Sequence, residues 1–334
     1  MTNKKKILLV YQLIKFYPWI PTFIKDDIEL LQDFFNVKAF RYSSLKTINL
    51  FFEIKNSDVV FIWFSGVHAF IATIFAKIIK KPIVIIVGGY DIADEKELKY
   101  GMLLNPIARY MVKYTLSNAD RVLTVDDGLK IDATTKLNIS DKNIITVPTG
   151  YDFNKFVPKG KKEKIVLLVS AGKEWDRIKL KGVDTFVKSA RVLSHVDFYV
   201  IGVHGNVLKK INEISPPNVK LLGPLLQKDL IKYYQKAKVI CQLSLREGLP
   251  NALCEAMLCE CVPVGTNVQG ITTAIGDTGF YVNYNDVEGT ANAIKQALIS
   301  KKGKEARNRV ITLFSKQLRE KRLINILEEM MKYK

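Results

Sequence analysis

The sequence predicts an α/β protein of two Rossmann-like domains in tandem, each a parallel sheet covered by helices. Three observations predict it. The chain has 334 residues, more than one hydrophobic core usually holds, so two domains of roughly 150 residues each are expected. Short, uncharged β-branched runs alternate with longer segments of helical period, the pattern of strands buried between amphipathic helices. That alternation stops at a polar, lysine-rich stretch, Asn154–Lys164, which contains Pro158 and Gly160, and then restarts.

In the first domain the expected strands are Ile7–Tyr11, Val37–Tyr42, Asp58–Phe64, Ile83–Val87, Arg121–Val125 and Ile144–Val147. Helical period marks Thr22–Phe35, Val67–Lys80, Leu103–Ser117 and Gly128–Leu137. Val59–Ala76 is an 18-residue window without a formal charge, near the lower length for a membrane-crossing helix. Its composition divides it: Val59–Phe64 is β-branched and aromatic, Ser65-Gly66 signals a turn, and only Val67–Ile79 reads as helix. After Pro148-Thr149-Gly150 the polar stretch is expected to be a linker, with Lys161, Lys162 and Lys164 as solvated charges. The second domain offers strands Ile165–Ser170, Val196–Ile201, Val219–Leu222, Val239–Leu243, Val262–Thr266 and Gly279–Val282, with helices between them and two long ones near Val287–Ser300 and Glu305–Lys332. The expected domains are residues 1–153 and 154–311, with a last helix at about 312–334 packing back on the first. Ligands of such sheets bind beyond the carboxyl ends of the strands, so the expected site is a cleft where the two sheets face each other.

The charge is the unusual feature: 51 basic against 33 acidic residues leave +18. Residues 1–150 carry 20 basic and 15 acidic residues and residues 151–334 carry 31 and 18, so the second half holds most of the excess. An anionic partner is implied, whether a phosphorylated small molecule, an anionic lipid surface or nucleic acid. The chain has no zinc-finger spacing, no aromatic RNA-binding pattern and no long basic arm, which sets nucleic acid behind the others. Cys241, Cys254, Cys259 and Cys261 lack metal-ligand spacing and read as small buried hydrophobes of a reducing compartment. His68, His195 and His204 are too isolated for a metal centre, and His68 reads as a packed residue. The apolar run after the basic start, Ile7–Val10, is too short for a signal peptide, so a cytoplasmic protein is expected.

Neither G-x-G-x-x-G after a strand, nor G-x-x-x-x-G-K-[ST], nor G-x-S-x-G occurs. One dense constellation remains, Ser244-Leu245-Arg246-Glu247-Gly248-Leu249-Pro250-Asn251, running on to Glu255 directly after the strand Val239–Leu243. Pro250 and Asn251 suit a helix start, so backbone amides there can face a diphosphate. Glu255, further along the helix, can accept two hydrogen bonds from a ribose diol.

These residues resemble the retaining GT-B glycosyltransferases of family 4, also called glycosyl transferases group 1, whose hallmark E-x7-E is met by Glu247 and Glu255. Gly172-Lys173, Arg177 and Lys181-Gly182-Val183-Asp184 are similar to the family's G-R…K-G-V-D phosphate segment, with lysine in the arginine position and about two extra residues between. Pro263-Val264, Gln269-Gly270-Ile271 and Thr278-Gly279-Phe280 follow the family's P-V…G-G-I…T-G-L run. In the first half, Pro21-Thr22-Phe23-Ile24 with Glu29-Leu30, Ala119-Asp120-Arg121-Val122 and Val147-Pro148-Thr149-Gly150-Tyr151-Asp152 match as well. Two departures stand out. Gly88, in Val87-Gly88-Gly89-Tyr90-Asp91, stands where many members carry a histidine, and Lys15-Phe16-Tyr17-Pro18-Trp19 replaces a glycine-rich acceptor loop.

The resemblance implies the GT-B fold and transfer of a hexose-type sugar from a nucleotide-diphosphate sugar to a glycan or lipid-linked acceptor, with retention of configuration, in surface polysaccharide or glycolipid synthesis. It implies Glu247, Lys181 and Lys173 as catalytic residues, and Glu255, Arg177, Gly248, Leu249, Pro250 and Asn251 as donor-binding ones. Gly88, Gly89 and Asp91 are expected to line the donor or acceptor cleft. The sequence contains no D-x-D, so neither a metal nor another cofactor is expected. The aromatic and basic loop Lys15–Trp19 and the basic tail Lys301–Lys334 suggest peripheral attachment to the inner face of an anionic membrane. The rival readings are a nucleic-acid-binding protein and a GT-B relative such as an epimerase or a non-catalytic regulator.

Overall fold

A computed structural model describes residues 4–12 and 20–332. The chain forms two compact units, Met1–Gly150 with Gln317–Lys334, and Tyr151–Lys316.

The first unit contains β1 (Lys6–Tyr11), α1 (Thr22–Gln32), β2 (Asn36–Arg41), α2 (Thr47–Lys55), β3 (Val59–Trp63), α3 (Val67–Ile79), β4 (Ile83–Val87), α4 (Pro106–Asn118), β5 (Arg121–Thr124), α5 (Asp127–Leu137) and β6 (Ile144–Thr146). Its sheet is parallel throughout, in the order β2-β1-β3-β4-β5-β6. Every residue of β3 and β4 is buried, which explains their unbroken β-branched and aromatic composition. The uncharged window divides as its composition indicates, into β3, a turn and α3. The helix expected from Leu103 starts instead at Pro106, where Asn105 Oδ1 accepts from the amides of Ile107 (2.9 Å) and Ala108 (3.0 Å). The sequence reading missed α2: its inner face buries Leu50 and Ile54 while Ile48 and Phe52 face out, so no polar stripe reveals the helical period.

The second unit contains β7 (Glu163–Gly172), α6 (Trp175–Leu180), α7 (Val183–Ser189), β8 (Asp197–Val203), α8 (Val207–Ile214), β9 (Val219–Leu222), α9 (Gln227–Lys236), β10 (Ala237–Gln242), α10 (Asn251–Leu258), β11 (Val262–Thr266), α11 (Ile271–Ile275), β12 (Phe280–Val282), α12 (Val287–Ile299) and α13 (Gly303–Phe314). Its strand order is β12-β11-β10-β7-β8-β9, again parallel. The order reverses between β7 and β10, so the loops leaving those two strands flank the crevice where ligands of open α/β sheets bind.

The stretch Asn154–Lys164 is not a free linker. Phe156 is buried, Arg307 Nη1 donates to its carbonyl (2.7 Å), and Lys162 Nζ donates to the Tyr234 carbonyl (2.8 Å), so Lys162 is a structural cation of the second unit. The long helix expected over Glu305–Lys332 is two helices. Ser315 is extended and pairs with Tyr151, whose amide donates to Phe314 O (2.8 Å) and whose carbonyl accepts from Lys316 N (3.0 Å). Beyond that break α14 (Lys316–Lys332) belongs to the first unit. There Arg319 is buried and bidentate to Asp27, at 2.6 and 2.7 Å, and also donates to the carbonyls of Val147 and Pro148. Trp63 Nε1 donates to the same carboxylate (2.9 Å).

Candidate active site

In the second unit the turn between α6 and α7 meets the loop after β10. Gly182 is left-handed (φ 64°), and a Cβ there would lie 2.2 Å from Leu243 O, so only glycine allows the approach. Leu245 N donates to Leu180 O (2.8 Å) and fixes the register of the two loops. This places Lys181, at the end of α6, against Glu247, and the two form an ion pair through Glu247 Oε1. The same oxygen accepts from Ser244 Oγ (2.6 Å) and Gln242 Nε2 (2.7 Å), and Gln242 Nε2 also reaches Ser244 Oγ (2.8 Å). Burial lowers the Lys181 pKa, the Glu247 charge opposes that, and the neighbouring Arg177 guanidinium lowers it further. An arriving anion would relieve that repulsion between cations. Lys173, directly after β7, lies beside Gly205, which follows β8.

Gly270 closes the loop from behind. Its φ is 81°, and a Cβ would lie 1.7 Å from Gly248 O, so the Gln269-Gly270-Ile271 turn packs directly on the backbone after Glu247. Pro250 precedes α10 and no side chain caps its first amides. Asn251 Oδ1 accepts from Tyr151 OH (2.8 Å). Glu255 is buried on α10, where Tyr234 OH and Gln227 Nε2 each donate to it at 3.2 Å. The sequence reading gave Ser244 a place in its constellation but no role, and it missed Gln242, Tyr234 and Gln227. Gln242 and Ser244 carry a signal, being polar residues at the end of an otherwise apolar strand run; Tyr234 and Gln227 lie on a different helix and carry none.

In the first unit, Gly88 and Gly89 follow β4. A Cβ on Gly88 would lie 2.2 Å from Phe64 Cε1, so the Phe64 ring fills the space that a histidine at this position would need. Phe64 itself is left-handed (φ 66°) and packs against Phe23 and Trp63. Asp91 is buried and accepts from Gly89 N (2.8 Å) and Ser65 N (3.1 Å), which ties the loop after β4 to the loop after β3. Burial raises its pKa and the backbone donors pull against that. His68 is buried and bonded to Trp63 O and Gln12 Oε1. The loop Lys15–Trp19 lies outside the described residues. All four cysteines are buried, and burial pushes the Cys254 and Cys259 thiols up to about 12.

Residues 164–300 match the family model of glycosyl transferases group 1. The chain is 28% identical over 307 residues to the capsular polysaccharide biosynthesis glycosyltransferase CapM of Staphylococcus aureus, covering 83% of this chain and 79% of that one. Among solved structures it is similar to HepE of Anabaena in complex with UDP and glucose (TM-score 0.77, 13% identity, 96% of this chain and 99% of that one). It is equally similar to sucrose-phosphate synthase from Thermosynechococcus elongatus (TM-score 0.77, 13% identity, 99% and 100%). The match to glycosyl transferases group 1 thus lies in the second unit, and the two parallel six-stranded sheets have the GT-B fold of these glycosyltransferase neighbours.

Proposed function

We propose that the protein transfers a hexose from a nucleotide-diphosphate sugar to a glycan or lipid-linked acceptor, with retention of configuration and without a metal ion, in the synthesis of a surface polysaccharide or glycolipid. The observation that carries the reading is the convergence of Lys181, Gln242 and Ser244 on one oxygen of Glu247, at the reversal of strand order. A carboxylate pinned through Oε1 can present Oε2 to a hydroxyl of the transferred sugar. The leaving diphosphate gains charge as the glycosidic bond breaks, and Lys181, Lys173, Arg177 and the amides at the start of α10 are the cations and dipoles proposed to stabilise it. Glu255, steadied by Tyr234 and Gln227, is the proposed acceptor of ribose hydroxyls. In the first unit the loop of Gly88 and Gly89, held by Asp91, is proposed to serve the acceptor. The relatives support the substrate class: CapM is named for capsular polysaccharide, and HepE was solved with UDP and glucose.

The test is transfer kinetics with a panel of nucleotide sugars, in EDTA. Glu247→Ala should lower kcat with little change in donor KM, and Glu255→Gln should raise donor KM, by about 1.5–3 kcal/mol of lost interaction. Loss of transfer in EDTA that magnesium or manganese restores would overturn the metal-independent part. Unchanged kinetics in both variants would overturn the assignment of roles.

A further inference from the structure

The outer surface of α3 inverts the usual order of a surface helix. The side chains turned toward the sheet are small or polar, Ala69, Ala72, Ala76, Thr73 and His68, while those turned away are large. Apart from Lys77, every residue of α3 that is not buried is apolar: Val67, Phe70, Ile71, Ile74, Phe75, and Ile78 with Ile79 at its end. A helix with so large an apolar outer side is ordinarily covered by something. The neighbouring helices extend the surface. Phe51 of α2 stacks edge-on against Phe75 at 5.3 Å, and Phe70 against Tyr114 of α4 at 5.2 Å. On α2 and the turn before it, Leu45, Ile48 and Phe52 share one face and are 96, 72 and 56% exposed. Ile78 at 68%, Ile107 at 67% and Tyr110 at 63% continue the patch across α3 and α4.

The charge around this patch indicates what covers it. Residues 44–81 and 105–118, which hold α2, α3 and α4, carry seven basic and two acidic residues; Lys77 pairs with Asp120, Arg109 with Asp94, and Lys81 donates to Ser57 O, which leaves Lys46, Lys55, Lys80 and Lys113 to face a partner. Lys46, Lys55 and Lys113 are exposed on α4 and around α2, and none has an ion pair among the described residues. A second copy docked face to face would bring like charges together, whereas an anionic surface would neutralise them. Among the described residues no helix is long and apolar enough to cross a membrane. We propose that the outer face of α2, α3 and α4 is a docking surface for an anionic lipid bilayer, with Phe52, Ile48 and Ile78 entering the headgroup layer and the lysines holding its phosphates. Large apolar and aromatic side chains rimmed by lysine are the composition of an interfacial attachment. The proposal rests on this surface and not on the transfer chemistry, so its test needs no substrate.

The experiment is co-sedimentation of the full chain with phosphatidylcholine vesicles, with and without phosphatidylglycerol, at low and high salt. The wild type should bind the anionic vesicles at low salt and be largely released at high salt. Ile48→Glu with Ile78→Glu should lower the partition by about tenfold or more, and Lys46→Glu with Lys113→Glu, which leaves all packing intact, should do so by a similar factor. Lys301→Glu with Lys304→Glu, on the basic tail, should partition as the wild type does. A wild type that stays in the supernatant with anionic vesicles at low salt would overturn the proposal. So would Lys46→Glu/Lys113→Glu binding undiminished, or a wild-type dimer in sedimentation velocity that the same pair disperses.

Discussion

Phe64 and Gly88 form a matched pair, because the ring of one occupies the volume above the other. Gly88→His should therefore lower stability by about 1–3 kcal/mol through overpacking, and Phe64→Ala in the same chain should recover much of that loss, as read by thermal melting of the two variants. Independent, additive effects would show that the ring and the glycine are uncoupled. His68 gives a second residue-scale prediction, through pH. Burial pushes its pKa down from 6.5 to about 4. Between those values the unfolded chain binds a proton that the folded chain does not. Stability is therefore whole above about pH 6.5 and declines as the pH falls toward 4, by about 3 kcal/mol from this group. His68→Gln should flatten that part of the stability curve in denaturant melts at pH 7 and pH 4.5; an unchanged slope would mean that another group carries it.

At the scale of elements, α14 is fastened to the first unit by Arg319, whose guanidinium meets Asp27 across 292 residues of sequence. Removing one partner of a buried ion pair strands the other, so Arg319→Ala should cost about 3–5 kcal/mol and raise hydrogen exchange along α14 first. Exchange at α14 equal to the wild type would contradict this role. The same residue marks the limit of what sequence could tell. All twelve strands stand within two residues of the spans that periodicity assigned, because β-branched runs between amphipathic segments leave little freedom. Glu247 and Lys181 were found as motifs, but their ion pair was not, since nothing in either stretch states that Gly182 lets the two loops touch. Asp27 and Arg319 belong to no motif and lie in ordinary helical stretches, so their pairing became visible only when α14 was seen to leave the second unit at Ser315.

At the scale of the molecule, the +18 charge divides into committed and available cations. The basic tail loses much of its claim to a membrane, because Arg307 and Arg309 hold backbone carbonyls of the second unit and Arg319 is buried in the first. In the second unit the proposed donor site is built on Lys181, in its ion pair with Glu247, with the Arg177 guanidinium near it. If that site grips the diphosphate of a nucleotide sugar, Lys181 is its most sensitive member. The most direct measurement is titration calorimetry of nucleoside diphosphates and their sugars, in EDTA, against the wild type, Lys181→Ala and the exposed-lysine control Lys161→Ala. Lys181→Ala should weaken the best ligand by about 10- to 150-fold, the loss of one charge-assisted contact, while Lys161→Ala binds as the wild type does. Equal affinity in all three proteins would contradict the placement of the donor at Lys181 and Glu247.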